Sequence, residues 1–132
     1  MLTSRRSTRN SFPKSERLCS RKLIEALFAG GNRALSAFPL RVVYDTYSSE
    51  TTEVQVLVSV SKRHFKHAVD RERTKRQIRE AWRLNRDILV NALPNGTKLN
   101  IAFIWLSDEL QPSELIHRKM KNLLHRCSEQ FS

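Results

Sequence analysis

Residues 54–93 read VQVLVSVSKRHFKHAVDRERTKRQIREAWRLNRDILVNAL, and their order decides the fold. Val54, Val56, Val58 and Val60 alternate with Gln55, Leu57 and Ser59, the period-two pattern of a strand with one buried face. The period then changes. Residues 61–69 form a basic connection, and residues 70–93 carry apolar side chains at helical spacing. Asp70 stands where a cap would start this helix, and Pro94 with Gly96 stops it.

At 100° per residue, counted from Arg71, the cations Arg71, Lys75, Arg86, Arg79, Arg83 and Arg76 fall between about 0 and 140°. Arg73 stands apart near 200°. Ile78, Asn85, Ala92, Ala81 and Ile88 fall between about 260 and 340°, with Leu89 and Trp82 at the seam. A solubility face mixes signs and favours Lys and Glu. This one is arginine-rich, and the guanidinium fork matches phosphate geometry. The strand and basic loop also deliver the chain into a helix N-terminus, whose free amides and flanking lysines suit an anion.

Outward from this unit, residues 39–47 read as a strand with Leu40, Val42 and Tyr44 on one face, and residues 48–52 as a polar turn. Residues 99–106 are short, aromatic and branched, hence a buried strand. Residues 112–127 form a last helix with Leu115, Ile116, Met120, Leu123, Leu124 and Cys127 on its apolar side. Toward the N-terminus, Leu23, Ile24, Leu27 and Phe28 recur at helical spacing after a start near Ser15 to Ser20, and Gly30-Gly31 ends that helix. Trp82 and Trp105 are expected in the core. The expected fold class is α+β: a two-layer α/β sandwich with a mostly antiparallel sheet, in the order α-β-β-(β)-α-β-α, the bracketed strand being short. Residues 1–11 are expected to be a flexible basic tail, and residues 12–132 a single domain.

The whole chain has 132 residues, 24 Lys+Arg against 13 Asp+Glu, and a net charge of +11. Residues 1–22 carry +6 and residues 61–86 carry +7, so the remainder is slightly acidic at −2. Charge concentrated in two segments reads as a binding surface for a polyanion. Cys19 and Cys127 are too few for a disulfide framework, and the location expected is cytoplasmic. The longest apolar run, residues 101–106, is far short of the ~20 residues that span a bilayer, and no membrane partner is expected. His64 and His67 lie in a basic loop that repels cations, and His117 with His125 lacks a third ligand, so no protein-held metal is expected. No nucleophile–base pair and no clustered carboxylates are present, so no catalytic residue is assigned.

Residues 57–84 resemble the protein subunit of bacterial ribonuclease P. The match is carried by Val58-Ser59-Val60-Ser61-Lys62, Lys66-His67-Ala68-Val69, Arg71-Glu72-Arg73, Lys75-Arg76 and Ile78-Arg79-Glu80. Phe12-Pro13-Lys14, Arg17-Leu18, Phe28 and Phe38-Pro39-Leu40-Arg41 extend it. Family members usually carry Asn where Glu72 stands; a carboxylate there suits the helix dipole or engages Arg76.

The resemblance implies a left-handed βαβ crossover, which runs against the general rule. It implies a subunit of an endoribonuclease in which the RNA carries the chemistry, removing the 5′ leader of precursor tRNA with Mg2+ held mainly by RNA. The expected partners are the ribonuclease P RNA, at one protein per RNA, and precursor tRNA. Arg71, Arg73, Lys75, Arg76 and Arg79, extended by Lys62, Arg63 and Lys66, are expected on the catalytic RNA's phosphates. Phe28, Arg41, Val43 and Tyr44 are the expected leader cleft, a stacking platform with a cationic floor. Arg5, Arg6, Arg9, Lys14 and Arg17 would add diffuse phosphate contacts. The rival classes are a structural ribosomal protein, a nuclease needing acidic metal ligands, and a DNA-reading helix, which would show an Asn/Gln mix for base edges.

Overall fold

The computed structural model describes residues 33–131; the first expected helix, the tail, and the candidates Phe28, Arg5, Arg6, Arg9, Lys14 and Arg17 lie outside the described residues. Strand β1 (Arg33–Ala37) and strand β2 (Leu40–Ser48) form an antiparallel hairpin closed by Phe38 and the cis-linked Pro39. Strand β3 (Glu53–Ser59) is followed by helix α1 (Ala68–Asn85) and the short helix α2 (Asp87–Val90). Strand β4 (Thr97–Trp105) leads to helix α3 (Ser113–Ser128), which ends in a 3-10 turn, Glu129–Phe131. The short strand expected in brackets between β3 and the long helix is not formed; the additional strand is β1, which precedes the two strands expected before that helix.

The sheet order is β1-β2-β4-β3. β4 runs antiparallel to β2 and parallel to β3, so β3, α1 and β4 form a parallel crossover unit within an otherwise antiparallel sheet. β2 and β3 are consecutive yet unpaired, because β4 inserts between them. Its composition suits that place: Leu99, Ile101, Phe103 and Trp105 point to one face and Asn100 and Ala102 to the other, and all six are buried. Gly96 turns the chain into β4 at φ +80, and its carbonyl accepts from the Ser49 amide at 2.8 Å. A Cβ at Gly96 would meet the Ser49 carbonyl oxygen at 2.9 Å, so glycine is required there.

One face of the sheet carries the main core. Leu40, Val42, Tyr44, Val54, Val56, Leu99, Ile101, Phe103 and Trp105 meet Ile78, Ala81 and Trp82 of α1, Leu89 of α2, and Ile116, Met120, Leu123, Leu124 and Cys127 of α3. Most apolar positions expected on these elements are buried, whereas Val58, Ile88, Ala92 and Leu115 are only half-buried. Trp82 lies against Phe103 at 5.7 Å between ring centroids, and Phe65 against Trp105 at 6.4 Å.

Two expectations for the long helix are corrected. It starts at Ala68 with His67 at the N-cap and no side-chain cap bond, so Asp70 lies in the first turn, where its charge suits the dipole. It also does not run unbroken to residue 93. The buried Asn85 amide donates to the Ala81 carbonyl at 2.8 Å, competing with the backbone for the acceptor that closes the last turn. The helix is interrupted at Arg86, which ends α1 and begins α2, and its carbonyl accepts from both the Leu89 and Val90 amides, at 3.0 and 2.9 Å.

Candidate nucleic-acid interface

Residues 61–67 leave β3 in a tight turn. The Ser61 carbonyl accepts from the His64 and Phe65 amides at 3.1 and 3.4 Å, and its hydroxyl accepts from the Arg63 amide at 3.1 Å. Phe65 is the apolar residue of this loop, and it plugs into the core beside Trp105. Arg71, half-buried on the first turns of α1, reaches back so that Nη1 donates to the carbonyls of Phe65 and Lys66 at 2.8 and 2.9 Å. Lys62, Arg63 and Lys66 point outward from this fixed backbone, all exposed. They flank the start of α1, where backbone amides are free of side-chain caps.

Along α1, Thr74, Ile78, Ala81, Trp82 and Asn85 are buried and the cations face away from them. They are not equally available. Glu72, near the start of α1, pairs with Lys75 Nζ at 3.4 Å; of the two roles open to it, the contact with Arg76 is not formed. Glu80 pairs with Arg83 through both guanidinium nitrogens that face it, and this contact holds the Glu80 carboxyl below its ordinary range. Arg86 lies 5.9 Å over the Trp82 ring. Among the described residues, Arg73, Arg76 and Arg79 have no carboxylate partner, and the first two are exposed. Arg73, set apart by its helical angle, joins Arg76 in a groove with Gln77, Glu80 and Ser113 at the start of α3. Gln77 Nε2 spans that groove, donating to the Gln111 carbonyl and Ser113 hydroxyl, both at 3.0 Å.

The candidates for a single-strand cleft divide between the two faces of the sheet. Arg41 is exposed on the face away from α1 and α3, in register with Ser36 and Ile104. Val43 lies on the same face in a small cluster with Ala102, Leu57 and Ile104. Tyr44 does not join them: alternation along β2 turns its ring into the main core, 6.3 Å from Phe131. Burial pushes its phenol above the ordinary value, with Cys127 adding to this and Arg33 opposing it. A feature not anticipated lies one row along. Asp45, Asn100 and Gln55 are neighbours in register, yet Asn100 is 1% exposed with both amide atoms unpartnered, and Gln55 Oε1 is also buried without a partner. The signal was available, since Gln55 and Asn100 interrupt apolar strands in phase with Leu57 and Ala102.

Residues 12–128 match the ribonuclease P family model. The ribonuclease P protein component of Porphyromonas gingivalis is 42% identical, covering 87% of this chain and 85% of that protein. The chain belongs to the ribonuclease P protein family. The component from Chlorobium phaeobacteroides is 36% identical, with 91% of each chain covered. The fold agrees with solved ribonuclease P proteins. That of Thermotoga maritima gives a TM-score of 0.65 at 24% identity, covering 84% of this chain and 96% of that one. That of Staphylococcus aureus gives 0.63 at 16% identity, covering 90% and 100%. Family membership makes the chain a protein component of ribonuclease P, a ribonucleoprotein of tRNA processing, and gives it the ribonuclease P RNA as partner.

Among the described residues of this ribonuclease P protein, no group of three or more His, Cys, Asp or Glu is placed to hold a metal ion. Burial pushes the Cys127 thiol up to about 12, which leaves it protonated and inert at neutral pH.

Proposed function

We propose that this protein binds the catalytic RNA through residues 61–67 and the cationic side of α1, and the 5′ leader of precursor tRNA through the opposite sheet face bearing Arg41 and Val43. In that role it assists Mg2+-dependent endonucleolytic removal of the leader, the RNA supplying the chemistry and holding the metal. One protein serves one RNA, in the cytoplasm. The observation that carries this reading is the run of exposed cations Lys62, Arg63, Lys66, Arg73 and Arg76, none held by a carboxylate among the described residues, on a fixed loop and helix. Such an array neutralises backbone phosphates without reading bases.

The test is reconstitution with a bacterial ribonuclease P RNA at low magnesium. Added protein is expected to raise precursor-tRNA cleavage, and protein alone to cleave nothing. Unchanged cleavage would refute the assignment, and magnesium-dependent cleavage by protein alone would make the chain a nuclease in its own right.

A further inference from the structure

His64 is the inward-turned polar residue of the basic loop. Its side chain is 13% exposed, and Nδ1 lies 2.7 Å from Oδ1 of Asp108, which is 79% exposed in the connection between β4 and α3. An ionised carboxylate only accepts, so Nδ1 carries the proton and donates. The two residues are 44 apart in sequence. They meet because β3 and β4 are parallel neighbours whose chains leave the sheet at the same end, Ser59 opposite Ile104. Asp108 is itself held in a turn in which the Ser107 hydroxyl accepts from the Glu109 amide at 3.0 Å. The loop is therefore tied by the Ser61 turn, the Phe65 plug, the Arg71 fork and this cross-connection. Among the described residues, only the last reaches outside the β3–α1 segment by a polar side-chain bond.

We propose that His64 and Asp108 form a clasp that positions Lys62, Arg63 and Lys66 for phosphate contact, Asp108 acting as a positioning residue for RNA it need not touch. The inference rests on the RNA-binding reading above and adds a consequence of opposite sign to simple electrostatics. An acidic group beside a basic surface opposes a polyanion, so removing it should tighten RNA binding if charge were all that mattered. If the clasp positions the loop, removing it weakens binding, because the freed backbone must be ordered on association.

The experiment compares the wild-type chain with Asp108→Ala, which leaves no acceptor for Nδ1, His64→Ala and the double variant. Two readouts are taken: amide hydrogen exchange across residues 61–67 in the free protein, and affinity for a bacterial ribonuclease P RNA. Asp108 is exposed and contributes little to global stability, so its variant is expected to fold, and a thermal melt checks that the two variants lacking the half-buried His64 also fold. Exchange in the loop should quicken in each variant, affinity should fall about fivefold in Asp108→Ala, and the double variant should lose no more than His64→Ala alone. Unchanged exchange overturns the clasp. Faster exchange with equal or tighter RNA binding overturns the positioning role. A wild-type chain that fails to bind the RNA overturns the proposed function instead, while exchange still judges the clasp.

Discussion

Arg71 and Arg76 lie on one helix and do different work. Arg71 spends Nη1 on two loop carbonyls, whereas Arg76 is exposed and has no carboxylate partner among the described residues. Arg76→Ala is therefore expected to weaken RNA binding and to flatten its dependence on log salt by about one unit, read from titrations at several salt concentrations. An unchanged slope would remove Arg76 from the phosphate contacts. At Asn100 the expectation concerns stability. Its amide is buried with no partner, and a buried unsatisfied amide costs about 1–3 kcal/mol. Asn100→Val supplies a branched apolar side chain at a central strand position and should raise the unfolding free energy by about 1 kcal/mol in urea denaturation. A loss of stability would mean that the amide has a partner in solution. Nothing local in the sequence distinguishes Arg71 from Arg76, since which guanidinium meets a carbonyl depends on the path of the preceding loop.

For single elements the sequence was largely readable. The valine alternation of β3 and the apolar stripe of α3 appear where periodicity placed them, because each element has a single buried face in the main core. The long helix was misread at both ends by side chains whose partners lie elsewhere: Asp70 caps nothing, and Asn85 turns back onto Ala81. The charge pattern of α1 also needed its partners. Glu72 and Glu80 each take a cation three residues on, leaving Arg73, Arg76 and Arg79 as the available set. The Glu80–Arg83 contact makes a pH prediction. The folded-state carboxyl titrates below its ordinary value, so its contribution is full above the ordinary carboxylate range and is lost as pH falls through the lower folded value. The Tm difference between wild type and Glu80→Gln should be small, given solvent screening, and should close as pH drops from about 7 to about 3. A difference that persisted at low pH would show that Glu80 acts by packing and not by charge.

Across the molecule, the helices α1, α2 and α3 and one sheet face share one core, with Trp82 fully buried at its centre. Trp82→Ala should cost about 3–5 kcal/mol, measured in urea at unchanged m-value. A cost below about 1 kcal/mol would mean the core closes over the gap. The sequence by itself determined where the chain's charge lies and which family it resembles. Those properties follow from residue type and order, which periodicity and motif spacing report directly. Only the tertiary structure decided that β4 enters between β2 and β3, that Tyr44 faces away from Arg41 and Val43, and that Asp108 meets His64. Strand order and cross-chain pairs arise when distant segments compete to bury surface and satisfy hydrogen bonds, and no local pattern records which of them meet.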